Sequence, residues 1–251
     1  KNMPALQKYA VEVMDLLSAQ TELGMVFQTD ARLRPDGEKG LLVNTLKSYE
    51  EYYRTRAQLW EIQALTRIRF VAGDPSVGED FQALAALLTN FSRPSQPLAA
   101  FAPDWKQQIA RMRQRIEKER TPAGKDALAI KTGSGGLIDA EFLAQMFCLE
   151  NGWQETNTLR ALERAKAEKK LPPKAAEELI TNYRQLRRIE GILRRWSYVG
   201  ETELPDDPAP LYRVAVRCGF GDADAFMASV AACRAAIRRV YGETIEEIAV
   251  R

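Results

Sequence analysis

Between residue 179 and residue 196, Leu179, Tyr183, Leu186, Ile189, Leu193 and Trp196 recur at steps of four, three, three, four and three. Only an α-helix gathers such a series onto one face, and a face that apolar has to be buried against something. The same period returns along the second half of the chain. Trp105, Ile109, Met112 and Ile116 make one stripe, and Phe142, Met146 and Leu149 make another in a helix expected from about Ile138 to Glu150. Phe226, Val230, Cys233, Ile237 and Tyr241 make the last. Helices of this kind bury their stripes against one another, so the spacing predicts an all-helical bundle.

The front of the chain is less uniform. Leu6, Ala10, Val13, Leu16 and Leu17 predict a helix over residues 4–20. "MVFQTDARLR", residues 25–34, alternates instead: Met25, Phe27, Thr29, Ala31 and Leu33 fall on one side, Val26, Gln28, Asp30, Arg32 and Arg34 on the other. That is the period of a strand with one mostly apolar face. "PDGEKG" reads as a turn, and "LLVNTL" as a short neighbouring strand. Ser48 followed by Glu51 is the pattern of a capping box and opens a helix to about Val71. Its stripe is Tyr49, Tyr53, Ala57, Trp60, Ala64, Ile68 and Val71, and "AGDP" stops it. "EDFQALAALLTN" is helical, and Pro94, Pro97 and Pro103 mark a connection. The fold expected is mostly α: a small α/β piece over residues 1–75, then a helical bundle over 76–251.

Composition narrows the chemistry. Lys and Arg number 36 against 34 Asp and Glu, so no global field draws the chain to nucleic acid or membrane, and any affinity for phosphate must be local. With no histidine, Ser-His and Cys-His nucleophilic catalysis, His-ligated zinc and a histidine pH switch are excluded. Cys148, Cys218 and Cys233 are few, scattered and in apolar contexts, which fits small core residues of a cytoplasmic protein. No run of about 18 apolar residues and no signal-peptide pattern is present. The chain opens at Lys1, and we expect it to be a piece of something longer.

Three stretches could carry function. On a strand, Asp30, Arg32 and Arg34 would point the same way, either as a solvated face or as a site in which Asp30 holds a metal or takes a proton and the two guanidiniums hold phosphate oxygens. In "IKTGSGGLIDAEFLAQ", residues 130–145, Lys131 precedes Gly133, Gly135 and Gly136 at a helix start. That is either a plain turn or a set of backbone N–H groups offered to an anion, with Asp139 and Glu141 facing a site or complementing the helix dipole. In "LRRIEGILRR", Arg187, Glu190 and Arg194 can form a ladder on a solvated face, or the run can dock an acidic partner.

Taken in order, "TDARLRPDGEKGLLV", "YYRTRAQLWEIQALTRIRFVAGDP", "IKTGSGGLIDAEFLAQMFCL" and "YRQLRRIEGIL" resemble the glutamine synthetase adenylyltransferase family over nearly the whole chain. The resemblance implies part of a nucleotidyltransferase domain followed by a helical bundle. Proteins of that family transfer AMP from ATP to a tyrosine of glutamine synthetase, or remove it, with magnesium. It implies that Asp30 is the third carboxylate at the magnesium ions and that Arg32 and Arg34 flank the nucleotide phosphates. It places Lys131, Asp139 and Glu141 at the interdomain cleft, and makes Glu61 and Arg67 supporting residues. "WEIQALTRIRFVAGDP" looks more like the adenylylating half than the removing one. The family's Gly-Ser turn followed by an Asp-x-Asp pair does not precede Asp30 here, so this chain is expected to be inert alone. The alternative is a regulatory module whose bundle binds the PII signalling protein or glutamine synthetase.

Overall fold

In the computed structural model, which describes residues 2–22, 24, 29–197 and 203–250, the described residues form ten α-helices. They are α1 (Met3–Ser18), α2 (Leu46–Thr55), α3 (Leu59–Leu65), α4 (Pro75–Leu88), α5 (Trp105–Arg120), α6 (Leu137–Asn151), α7 (Thr158–Ala167), α8 (Pro173–Ser197), α9 (Pro208–Arg217) and α10 (Ala223–Val250). The chain divides into two compact units, residues 1–102 and 103–251. The mostly-α fold follows from the helical periods, which also placed α5, α6, α8 and α10; α7 and α9 were not anticipated.

The second unit is a bundle with α6 at its centre, against α5, α7, α8 and α10. A central helix is apolar nearly all round: Leu137, Ala140, Leu143, Ala144, Met146, Phe147, Cys148 and Leu149 are all buried. The α8 and α10 stripes read from sequence lie in the core, whereas Met112 and Ile116 of α5 and Phe142 of α6 are only partly buried. Leu179, Tyr183, Leu186, Ile189 and Leu193 of α8 pack in one cluster with Phe226, Val230, Cys233, Ile237 and Tyr241 of α10. The side chain of Trp196 lies outside the described residues. The three cysteines are free and buried, and burial pushes the Cys148 thiol up to about 11.

In the first unit, α2 packs on α4, and residues 95–99 fold back on α2, where Ala99 N–H donates to the Arg54 carbonyl at 2.8 Å. Two expectations are corrected here. The helix expected from Ser48 to Val71 is broken. α2 is capped by Thr45, whose hydroxyl accepts from Ser48 N–H at 3.1 Å, rather than by Ser48. At Gln58 the backbone is extended, and its N–H donates to Glu61 Oε2 at 2.7 Å in a capping box that starts a separate α3. The strand expected over 25–34 is not seen: residues 25–28 lie outside the described residues, and 29–34 form a loop. "LLVNTL" is likewise loop until α2 begins at Leu46. Among the described residues there is no strand, only a lone antiparallel bridge between Thr21 and Gly24. α1 buries none of its side chains; its Gln7 amide donates to Val43 carbonyl at 2.6 Å and accepts from Val43 N–H at 3.0 Å.

Candidate functional site

The charged loop of the first unit is built by its arginines. Asp30 and Arg32 face each other: Arg32 Nη2 donates to Oδ2 at 2.6 Å, Nε to Oδ1 at 2.9 Å, and the backbone N–H to Oδ1 at 3.0 Å. This pairing with Arg32 holds the Asp30 carboxyl well down, at about 2. Arg34 makes no bond to Asp30 and spreads over backbone carbonyls of its own loop, Ala31 at 2.5 Å and, at 3.4 Å, Glu38 and Gly40. The shared direction expected of Asp30, Arg32 and Arg34 therefore does not hold, because no ladder fixes the loop in alternation. The turn itself is as expected. Asp36 and Gly37 both take the left-handed conformation, at φ 61° and 56°, and Arg56 of the first unit grips Asp36 at 2.6 Å.

From Arg56 the contacts continue inward. Its guanidinium lies 5.1 Å over the Tyr52 ring, and Tyr52 hydroxyl donates to Glu61 Oε1 at 2.7 Å. Burial, then the bond to Glu61, pushes the Tyr52 hydroxyl up to about 12, so it remains a donor. Glu61 thus uses one oxygen on Tyr52 and the other to cap α3; it is buried and structural. Arg67 is exposed just beyond α3.

In the second unit the glycine-rich segment is a latch. Arg113 of α5 and Asp139 of α6 are both fully buried and form an ion pair through Nε and Oδ1. Arg113 Nη2 also donates to Gly133 carbonyl at 2.8 Å, and Asp139 Oδ2 accepts from Gly135 N–H at 2.9 Å and from Arg238 of α10 at 3.3 Å. Arg238 reaches Glu117 of α5 at 3.1 Å, and Arg234 of α10 donates to Ser134 carbonyl at 3.0 Å and Asp126 Oδ2 at 2.9 Å. α5, the start of α6 and α10 are thereby tied at one place.

The latch removes the anion cradle that the glycines suggested. N–H groups of Gly133, Ser134, Gly135, Gly136, Leu137 and Ile138 donate to Ala129 carbonyl, Asp126 carboxylate, Asp139 carboxylate, and the carbonyls of Gly133, Ile130 and Lys131. The glycines serve close approach instead: a Cβ at Gly133 would lie 2.6 Å from Arg234 Nη2. Asp139 does not face an open cleft, since the pair with Arg113 takes it out of solvent. Glu141 is partly buried and accepts from Tyr183 hydroxyl at 3.3 Å; Lys131 is half-buried. Beside the latch lies an open groove of about 810 Å³, walled by Arg234, Arg238, Arg239, Asp126 and Glu243. Each of these arginines already has a carboxylate partner.

The residues present do not by themselves fit a two-magnesium centre, which needs about three carboxylates. Among the described residues, no group of three or more Asp, Glu, Cys or His side chains is placed to hold a metal. Asp30 stands alone and is already engaged by Arg32.

Two family models match in succession. One described as glutamate-ammonia ligase adenylyltransferase covers residues 6–84, and one described as GlnD PII-uridylyltransferase covers 104–245, more than half of the chain. The chain belongs to the glutamine synthetase adenylyltransferase family. Each match lies inside one compact unit. The bifunctional glutamine synthetase adenylyltransferase/adenylyl-removing enzyme of Streptomyces coelicolor is 35% identical over 87% of this chain and 22% of that protein. The same-named enzyme of Xanthomonas campestris pv. campestris (strain B100) is 44% identical over 61% of this chain and 16% of that protein. That of Stenotrophomonas maltophilia (strain K279a) is 40% identical over 61% and 16%. This family member therefore spans only 16–22% of the length of these three relatives.

Proposed function

We propose that this chain is the later part of one nucleotidyltransferase-plus-bundle half of a glutamine synthetase adenylyltransferase, acting in the whole protein to transfer AMP from ATP to glutamine synthetase. The observation that carries this reading is the succession of two family matches, one in each compact unit and in the order a nucleotidyltransferase domain and its bundle would take. In it, Asp30 contributes one carboxylate to a magnesium site completed by residues outside this chain, Arg32 holds that carboxylate ionised, and Arg34 shapes the loop that presents it. In this reading Lys131, half-buried ahead of α6, meets nucleotide or protein, while Glu141 keeps its bond from the Tyr183 hydroxyl. The relatives' names favour glutamine synthetase as the partner.

Two measurements of AMP incorporation into glutamine synthetase test this. The isolated chain is expected to be inert, and Asp30→Asn in the full-length protein is expected to abolish transfer without altering its unfolding transition. Magnesium-dependent transfer by the isolated chain, or unchanged turnover in the variant, would overturn it. A second reading, a regulatory bundle that binds the PII protein, is favoured by the match of 104–245 to a PII-uridylyltransferase model. Saturable PII binding by the isolated chain, with Asp30→Asn harmless to the full-length enzyme, would favour that reading.

A further inference from the structure

Lys169 and Lys170 in the connection between α7 and α8, and Lys174 in the first turn of α8, are all exposed and have no carboxylate partner among the described residues. Their surroundings are otherwise neutralised. Between residues 160 and 180 every carboxylate is taken: Glu163 by Arg184, Glu168 by Arg164, Glu177 by Lys166 and Glu178 by Arg239. Even the arginine run of α8 closes on a carboxylate, with Arg187 and Arg194 both on Glu190. The tip is a net positive point on a chain whose charges nearly cancel, 36 against 34.

Local stability does not account for these residue types. Lys169 follows the C-cap of α7 with φ 55°, a left-handed position where glycine or asparagine is the unstrained choice. Lys174 lies in the first turn of α8, which holds no acidic residue, so it faces the positive end of the helix dipole where Asp or Glu would be favoured. The C-terminal end of α7 suits a cation at 169 or 170, but it explains neither the side chain at that φ nor Lys174. Departures from local rules with no compensating contact mark functional surface. The tip is also held in shape: Leu171 is buried, and Lys170 N–H donates to Ala165 carbonyl at 2.8 Å.

We propose that the α7–α8 tip is an electrostatic docking surface for an acidic segment of a partner protein. Three cations neutralise few phosphates, and since the attraction to nucleic acid scales with that number, they make it weak there. A membrane surface would need a second, apolar anchor, and the one large apolar side chain among these lysines, Leu171, points into the core. A short run of Asp and Glu matches both the charge and the size of the patch.

The probe is a fluorescent ten-residue glutamate peptide, titrated with the 251-residue chain at low salt. The test variant is the triple Lys169→Gly, Lys170→Gln, Lys174→Glu. We expect salt-sensitive binding that falls about tenfold or more in this variant. Because glycine at 169 and glutamate at 174 suit their backbone positions, the triple variant is expected to melt no lower than the parent, which separates lost docking from lost folding. The control is Arg188→Gln with Arg195→Gln, exposed cations of α8, which should bind as the parent does. Equal binding by parent and triple variant, equal loss in the control, or tighter binding to a twenty-nucleotide single strand or to phosphatidylserine vesicles would overturn the proposal.

Discussion

Gly135 and Arg234, 99 residues apart, are in backbone contact: a Cβ at position 135 would sit 2.0 Å from the Arg234 carbonyl oxygen. Gly135 is also at φ 69°, so a side chain there meets both a conformational and a steric penalty. Gly135→Ala should destabilise the second unit by about 2–4 kcal/mol. Gly191, in α8 with open space around its Cα, should respond oppositely, gaining about 0.5–1 kcal/mol on conversion to Ala. Urea unfolding of the two variants side by side checks both signs; similar midpoints would refute the close-approach account of the glycine motif.

The ion pair beneath that contact is the second test. Removing one member of a buried pair strands the other, a loss of about 3–5 kcal/mol. Arg113→Met and Asp139→Asn should each fall in that range, and the double variant should lose much less than the sum. Additive losses would mean that the two residues stabilise the bundle independently.

The start of α2 distinguishes two caps. Thr45→Ala should cost about 1 kcal/mol, because the Thr45 hydroxyl accepts from Ser48 N–H. Ser48→Ala should be within about 0.5 kcal/mol of the parent. The reverse order would restore the capping box expected at Ser48.

Asp30 gives a pH test. Its folded carboxyl is depressed to about 2 from an ordinary value near 3.8, so the stability it contributes is present above pH 4 and is lost as pH falls towards 2. With both side chains more than half exposed, the effect on stability is small. The titration itself is the better readout: the carboxyl ¹³C shift of Asp30 should turn near pH 2 in the parent and move up towards the ordinary carboxylate range in Arg32→Gln, which keeps only the backbone N–H bond.

The thiols are expected to be silent. Cys148 is pushed up to about 11 by burial, and Cys218 and Cys233 are raised by the same cause. A thiol-reactive dye at pH 8 should therefore label the native chain only at the rate of unfolding. Rapid labelling of even one cysteine would contradict the buried assignment.

What the sequence by itself determined was direction: which side chains face inward along α5, α8 and α10, because a period of 3.6 fixes a face whatever it later packs against. It also held the Glu190 ladder and the "PDGEKG" turn, since each lies within a short run of residues, and the family, through four segments in order along the chain. What only the tertiary structure decided was partnership. Arg113 meets Asp139, Gly135 meets Arg234 and Tyr52 meets Glu61 across separations that no local period reports. Those meetings turned a glycine loop that looked fit for anions into a latch, and split one expected helix at Gln58. The reason is physical: a buried polar group must find a partner, and which one it finds is settled only after the apolar faces have packed. The same holds for Asp30 and Arg34, which alternation would have aligned and which a loop without a ladder gives to different partners.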